Sequence, residues 1–200
     1  MDWPATKLDD LLALTWQALA AGASELQHPF RTPACATASE LEPALRLVVL
    51  RGVDVTARQL ACHTDLRSAK CRELRRNERA QWLFHDPAAR VQVRAGGATQ
   101  IHTGDALARD AWQRTPLASR TNYCTRWAPG ARLAGPDDAL PAAWRVHGPT
   151  VEEAEAGWAN FAVLVTTVEH FEWLQLRAEG HRRAGFTWTG EQYVGHWLVP

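Results

Sequence analysis

Two hundred residues suit one ordinary domain, a length that buries roughly 70% of the surface its unfolded chain exposes. An apolar share of 46% and a charged share of 22% exclude wholesale disorder. Twenty-two Lys and Arg against twenty-two Asp and Glu leave no net charge, so the basic surplus a dedicated nucleic-acid binder sets against phosphates is missing, and no apolar run nears the roughly 18 residues that span a bilayer.

Met1 to Asp10 hold no apolar core of a secretory signal, so none is expected. Cys35, Cys62, Cys71 and Cys124 include no Cys-x-x-Cys pair. They read as reduced, buried thiols of a cytoplasmic protein, with no metal site. Lys7 to Ala21 is predicted as a helix, with Leu8, Leu11, Leu12, Thr15, Trp16 and Leu19 on one stripe and Gly22 as its stop. Pro33 to Ser39 reads as a short strand and Glu40 to Ala44, which holds Pro43, as a turn. Leu45 to Val53 predicts one strand, apolar on both faces except for Arg46 and Arg51, and Arg58 to Thr64 the next. Thr64 to Lys70 opens a helix to about Asn77, with Thr64, Asp65 or Ser68 as its cap.

Gln81 to His85 is a strand ended by Asp86-Pro87. Arg90 to Gly96 alternates, with Val91 and Val93 on one face and Gln92 and Arg94 on the other. Gly96-Gly97 suggests a bulge before the strand resumes through Ile101. Asp105 to Arg114 is a short helix. Residues 128–149, rich in Pro, Gly and Asp, form the longest loop, a length often functional. Thr150-Val-Glu-Glu is a capping box for a second short helix. Strand candidates follow at Ala162 to Val168, His170 to Arg177, and Phe186 to Leu198 with a turn at Thr189-Gly190. Connections too short for crossover helices predict an antiparallel sheet or barrel with peripheral helices, a single domain over residues 1–200. No Gly-x-Gly-x-x-Gly or Walker A loop is present. Most of the ten tryptophans, Trp16, Trp82, Trp112 and Trp173 among them, are assigned to core or dimer packing.

The chemistry concentrates in basic residues placed where burial is expected. Arg46 lies inside a strand and needs an anionic partner, yet its neighbourhood in sequence offers only Glu40, Glu42 and Asp54. Arg67-Ser68-x-Lys70 opens a helix, whose free amides and partial positive charge favour an anion. Arg46, Ser68 and Lys70 together would cradle a phosphate, and Gln92 would donate to the carbonyl of a planar heterocycle. Alternatively, the arginines pair with carboxylates and the first turn is simply solvated.

The series Arg46-Leu-Val-Val-Leu-Arg51, His63-Thr64-Asp65-Leu66-Arg67-Ser68-Ala69-Lys70 and Gln92-Val-Arg94-Ala-Gly96 resembles the pyridoxamine 5'-phosphate oxidase family. That family's pattern is Arg-x-Val-Leu-Leu-Lys, Tyr-Thr, Ser-Arg-Lys and Arg-Gln-Val-Arg. The likeness continues through Trp112 to Ser119, Phe171 to Arg183 and the closing Trp197-Leu-Val-Pro200, about residues 30–200 in all. It implies a mainly β, antiparallel six-stranded split β-barrel with flanking helices, a homodimer binding FMN at its interface, with no membrane or nucleic-acid partner. By the same likeness, Arg46, Ser68 and Lys70 hold the FMN phosphate. Val48, Val49 and Leu50 run along the isoalloxazine, His63 and Thr64 touch ring or ribityl chain, and Gln92 meets the ring. Arg183 reaches the flavin from the other subunit.

Departures from the pattern bear on activity. Ala69 replaces a family arginine, and Arg67 is the candidate substitute. At the positions of the family's substrate lysine, tyrosine, arginine and serine stand Arg51, Ala111, Thr115 and Ser119, Arg51 being counted with the cofactor residues as well. The family's later Arg-Leu-His reads Glu179-Gly180-His181. His181 and Ser119 are the candidate catalytic residues. The resemblance thus implies an FMN-dependent oxidoreductase on a different small molecule or, alternatively, a non-catalytic FMN-binding, flavin-buffering protein.

Overall fold

The computed structural model describes residues 3–38 and 42–200. Helix α1 (Leu8–Ser24) runs past Gly22 rather than stopping there. A Cβ on Gly22 would lie 2.9 Å from that of Phe30 and 3.0 Å from its carbonyl carbon, so the glycine admits the chain at Phe30 against the helix. Strand β1 (Ala34–Ala38) matches the expected short strand; the predicted end at Ser39, and Glu40 and Leu41 of the predicted turn, lie outside the described residues. Pro43 and Ala44, also assigned to that turn, already belong to β2 (Pro43–Leu47).

The single strand expected over Leu45 to Val53 is broken. β2 ends at Leu47 and β3 (Leu50–Asp54) begins after Val48 and Val49. Then come β4 (Gln59–Asp65), helix α2 (Ala69–Arg76), β5 (Arg79–Asp86) and β6 (Val91–His102). The hydrogen-bonded path is β2-β1-β5-β6-β7-β4-β3, where β7 is Phe161–Gln175. Its two end strands are consecutive in the chain and only two residues apart, so the path must curl until its ends meet. Counting β2 and β3 as one interrupted strand gives the six barrel strands expected, split at Val48–Val49. The hairpin β8 (Arg182–Trp188) and β9 (Tyr193–Leu198) extends beyond β7, which brings the sheet to nine strands.

The two strands predicted around Glu169 are one, β7, with a bulge. Gly96 pairs with His170 and Gly97 with Val168, leaving Glu169 as the extra residue. Inside the barrel, Trp82, Phe84, Val93, Phe171 and Trp173 are buried with α1's Leu11, Trp16 and Leu19. Helix α3 (Ala106–Arg114) buries Trp112 in a second cluster with Tyr123, Phe161, Val163 and Val165. Short helices α4 (Leu117–Arg120), α5 (Trp144–His147, within the predicted loop) and α6 (Val151–Ala154) complete the connection to β7. The Thr150 capping box is present.

Candidate flavin-phosphate site

At the split, the chain leaves β2 and crosses to β3, and the Val48 amide donates to the Pro33 carbonyl at 3.0 Å. Facing this seam, β4 ends at Thr64–Asp65 and turns into α2 through a bond from the Ser68 amide to the Asp65 carbonyl, 3.0 Å. Ser68 is the N-cap of α2, yet its hydroxyl makes no capping bond, and no acidic residue occupies the first turn. The start of the helix is therefore left positive. Lys70 Nζ donates to Thr64 Oγ1 at 2.8 Å, and Ser68 Oγ lies 3.3 Å from the same oxygen. Asp65 is close but does not neutralise the lysine, because Arg67 occupies both its oxygens at 2.7 and 3.0 Å. Val48, Val49, His63, Thr64, Ser68 and Lys70 line one cavity of about 310 Å³.

Six of the twelve residues predicted to bind cofactor therefore meet in one place. Leu50 is buried in the barrel wall. Arg67 stands beside the cavity without lining it, its guanidinium donating also to the Thr125 carbonyl at 3.0 Å. Arg46 does not line this cavity: an anionic partner for it is Glu73 on α2, at 3.0 Å, with Thr37 bridging the two. Asn122, Tyr123 and Pro129 also line the cavity and were missed. Only Pro129 lay in a segment marked out by composition, the loop from residue 128.

Arg51 faces a neighbouring groove, which His63, Ala111, Arg114 and Thr115 also line. Among the described residues its guanidinium has neither hydrogen bond nor ion pair. His63 joins groove and cavity. Burial, with Arg51 and Arg114 nearby, pushes its pKa down to about 4. The ring is thus neutral at pH 7. Because the native pKa is depressed, the unfolded state binds the extra proton as pH falls from 6.5 towards 4, and stability drops over that window. The loss is about 2–3 kcal/mol, and His63→Gln should flatten that part of a stability–pH curve; an unchanged slope would mean His63 does not carry it.

Gln92 and Arg183 lie elsewhere. Both sit opposite Leu174, Gln92 on β6 and Arg183 on β8, so they share the outer sheet face. His63, by contrast, is level with His102 at the far end of β6 through their common neighbour Val163, about 30 Å of strand away. Arg183 pairs with Glu172 at 2.9 Å, and its Nε is buried without a partner. The two predicted catalytic residues are not in the cavity. His181 accepts the Arg177 amide at 3.1 Å in the β7–β8 connection, and Ser119 lies on α4.

A split barrel with an anion cradle at its seam defines the FMN-binding split-barrel class. Residues 13–103 match the family model of the pyridoxamine 5'-phosphate oxidase FMN-binding domain. The chain is 31% identical over 209 residues to the pyridoxine/pyridoxamine 5'-phosphate oxidase of Sphingopyxis alaskensis, covering 96% of this chain and 88% of that one. The enzyme of the same name from Anaeromyxobacter dehalogenans is 37% identical over 99 residues, 49% of each chain, so the chain spans about half the length of that relative. Two solved structures share the fold at a TM-score of 0.70. One is a pyridoxamine 5'-phosphate oxidase-related, FMN-binding protein of Nostoc punctiforme, at 22% identity over 94% of this chain and 96% of that one. The other is PhzG of Burkholderia lata, at 19% identity over 98% and 94%. The chain belongs to the pyridoxamine 5'-phosphate oxidase family and carries its FMN-binding domain. The residues at the seam fit that cofactor: a lysine with only hydroxyl company, a serine hydroxyl held only by long bonds to Thr64 and Cys71 and an uncapped helix start suit a phosphate.

Proposed function

We propose that the protein is a homodimeric FMN-dependent oxidoreductase acting on a small anionic molecule other than pyridoxine 5'-phosphate. The observation that carries this reading is the Lys70–Ser68–Thr64 cradle, open to a groove holding an unpaired arginine. When bound, FMN supplies two-electron, hydride-accepting chemistry. Lys70, Ser68 and the α2 amides would anchor its phosphate, Val48 and Val49 would give its ring an apolar edge, and His63 would present a neutral imidazole between cofactor and substrate.

Dimerisation is supported by the outer sheet face. Leu47, Ala34, Leu83, Arg94 and Glu172 are successive cross-strand partners and so share that face with Gln92 and Arg183. Leu45 and Leu47 upon it are 68% and 69% exposed, as an apolar interface left uncovered would be. A second copy there would bring Gln92 and Arg183 towards the other chain's cradle. Light scattering at micromolar concentration with FMN should read twice the single-chain mass, and a single-chain mass would overturn the dimer.

FMN titration should give saturable fluorescence quenching; no binding at high micromolar FMN would end the reading. Pyridoxamine 5'-phosphate oxidation should remain well below about 1 per second, since two of the family's substrate groups are replaced by Ala111 and Thr115. Turnover at or above that rate would make pyridoxamine phosphate the substrate.

A further inference from the structure

The groove beside the cradle is longer and less cationic than it first looks. Two adjoining cavities of about 380 and 440 Å³ share Arg51, Gly52, His63, Ala111 and Arg114, and so form one trough. At one end stand three arginines, but two are occupied. Arg31 donates to the carbonyls of Ala23 and Leu50, and Arg114 pairs with Asp110. The Thr115 hydroxyl is also taken, donating to the Ala111 carbonyl at 2.8 Å. Among the described residues Arg51 is the one arginine of the trough with neither a hydrogen bond nor an ion pair, while Arg31 keeps its charge but is held in place by carbonyls. Beyond it the walls turn apolar, with Ala61, Ala111, Val163 and Val165, and Asp54 also stands there.

We propose that this trough binds an elongated, flat carboxylate monoanion, its carboxylate on Arg51 and its apolar body over Ala111, Val163 and Val165. This rests on the FMN-dependent reading above and names the substrate class for it. One planar guanidinium matches a carboxylate in both charge and two-point geometry. A phosphate monoester brings a charge of about −1.5 to −2, whereas Arg114 is already paired with Asp110 and Arg31 is held by backbone carbonyls, so among the described residues Arg51 is the trough's one guanidinium wholly available to it. The small Ala111 leaves room for a ring system, and Asp54 opposes a second acidic group.

The test is calorimetric titration of FMN-loaded protein with 2-naphthoate, 2-naphthyl phosphate and 2-naphthylmethanol. Naphthoate should bind at least about tenfold more tightly than either of the others. Arg51→Gln should weaken naphthoate by about ten- to a hundredfold, and Arg51→Lys should recover only part of that loss, because a point charge cannot form the fork. Ala111→Tyr, which leaves Arg51 intact, should block naphthoate by filling the trough. Naphthyl phosphate binding as tightly as naphthoate, or naphthoate binding unchanged in Arg51→Gln, would overturn the assignment. So would bound FMN with no naphthoate heat up to millimolar concentration. Failure of FMN itself to bind, read from the visible spectrum of the same sample, would instead overturn the reading on which the assignment rests.

Discussion

Gly97→Ala is expected to cost about 3 kcal/mol or more of stability. A Cβ at Gly97 would fall 1.8 Å from the Thr167 carbonyl oxygen and 3.1 Å from the Glu169 amide. Both are backbone atoms of β7, so no side chain can swing aside to relieve the clash. The bulge at Glu169 and the tight passage at Gly97 are the same feature seen from two strands, and closing one closes the other. For a chain of this size the loss corresponds to a fall in melting temperature of about 6–12 °C. Gly135→Ala is the matched control, since nothing lies within 4 Å of its added Cβ, and it should stay within about 0.5 kcal/mol of the parent. Chemical denaturation of the three proteins side by side measures this, and a Gly97 variant as stable as the control would refute it.

Lys70→Ala and Arg46→Ala should separate, although the sequence places both in one cradle. Lys70 lines the cavity and has no carboxylate partner among the described residues, so its loss should remove a charge-assisted contact to the FMN phosphate. That is worth about 1.5–3 kcal/mol, or roughly ten- to a hundredfold in affinity, with little change in unfolding midpoint. Arg46 is the ion-pair partner of Glu73, whose side chain is only 13% exposed. Removing the arginine leaves that carboxylate with Thr37 alone, so Arg46→Ala should act first on stability, by about 1–3 kcal/mol. FMN titrations paired with denaturation curves distinguish the two. An Arg46 variant of parental stability but with a hundredfold weaker FMN affinity would return Arg46 to the cradle.

The regular strands were legible because their side chains alternate or run apolar in ways only a sheet satisfies, as in β5, where every second residue is buried. The seam was not. Leu-Val-Val-Leu reads as continuous strand, and nothing local marks that Leu47 pairs with Ala34 while Leu50 pairs with Cys62. That break is a property of how the sheet closes, not of the residues' preferences. Arg46 shows a related limit: its need for an anion was readable, but its partner came from a helix 27 positions on. Ser68 and Lys70 were readable because a helix start with basic and hydroxyl groups and no acid has a local physical meaning. Asn122 and Tyr123 carry no such signal and reach the cavity only through the packing of Tyr123 against Trp112 and Phe161.

The placement of β7 in the middle of the sheet also sets when this chain can fold. Gln59 finds its partner at Thr167 and Val91 at Gln175. Such distant pairings slow folding, because loop-closure entropy must be met before the contacts reward it. During synthesis, β6 would wait for β7 with its whole β7-facing edge unpaired, and β4 would wait with one edge unpaired as well. Long bare edges of this kind are where chains join one another wrongly. A fragment ending near residue 103, although it holds the FMN-binding segment matched by the family, would keep both edges for good, and should collect as aggregate rather than as a small folded domain.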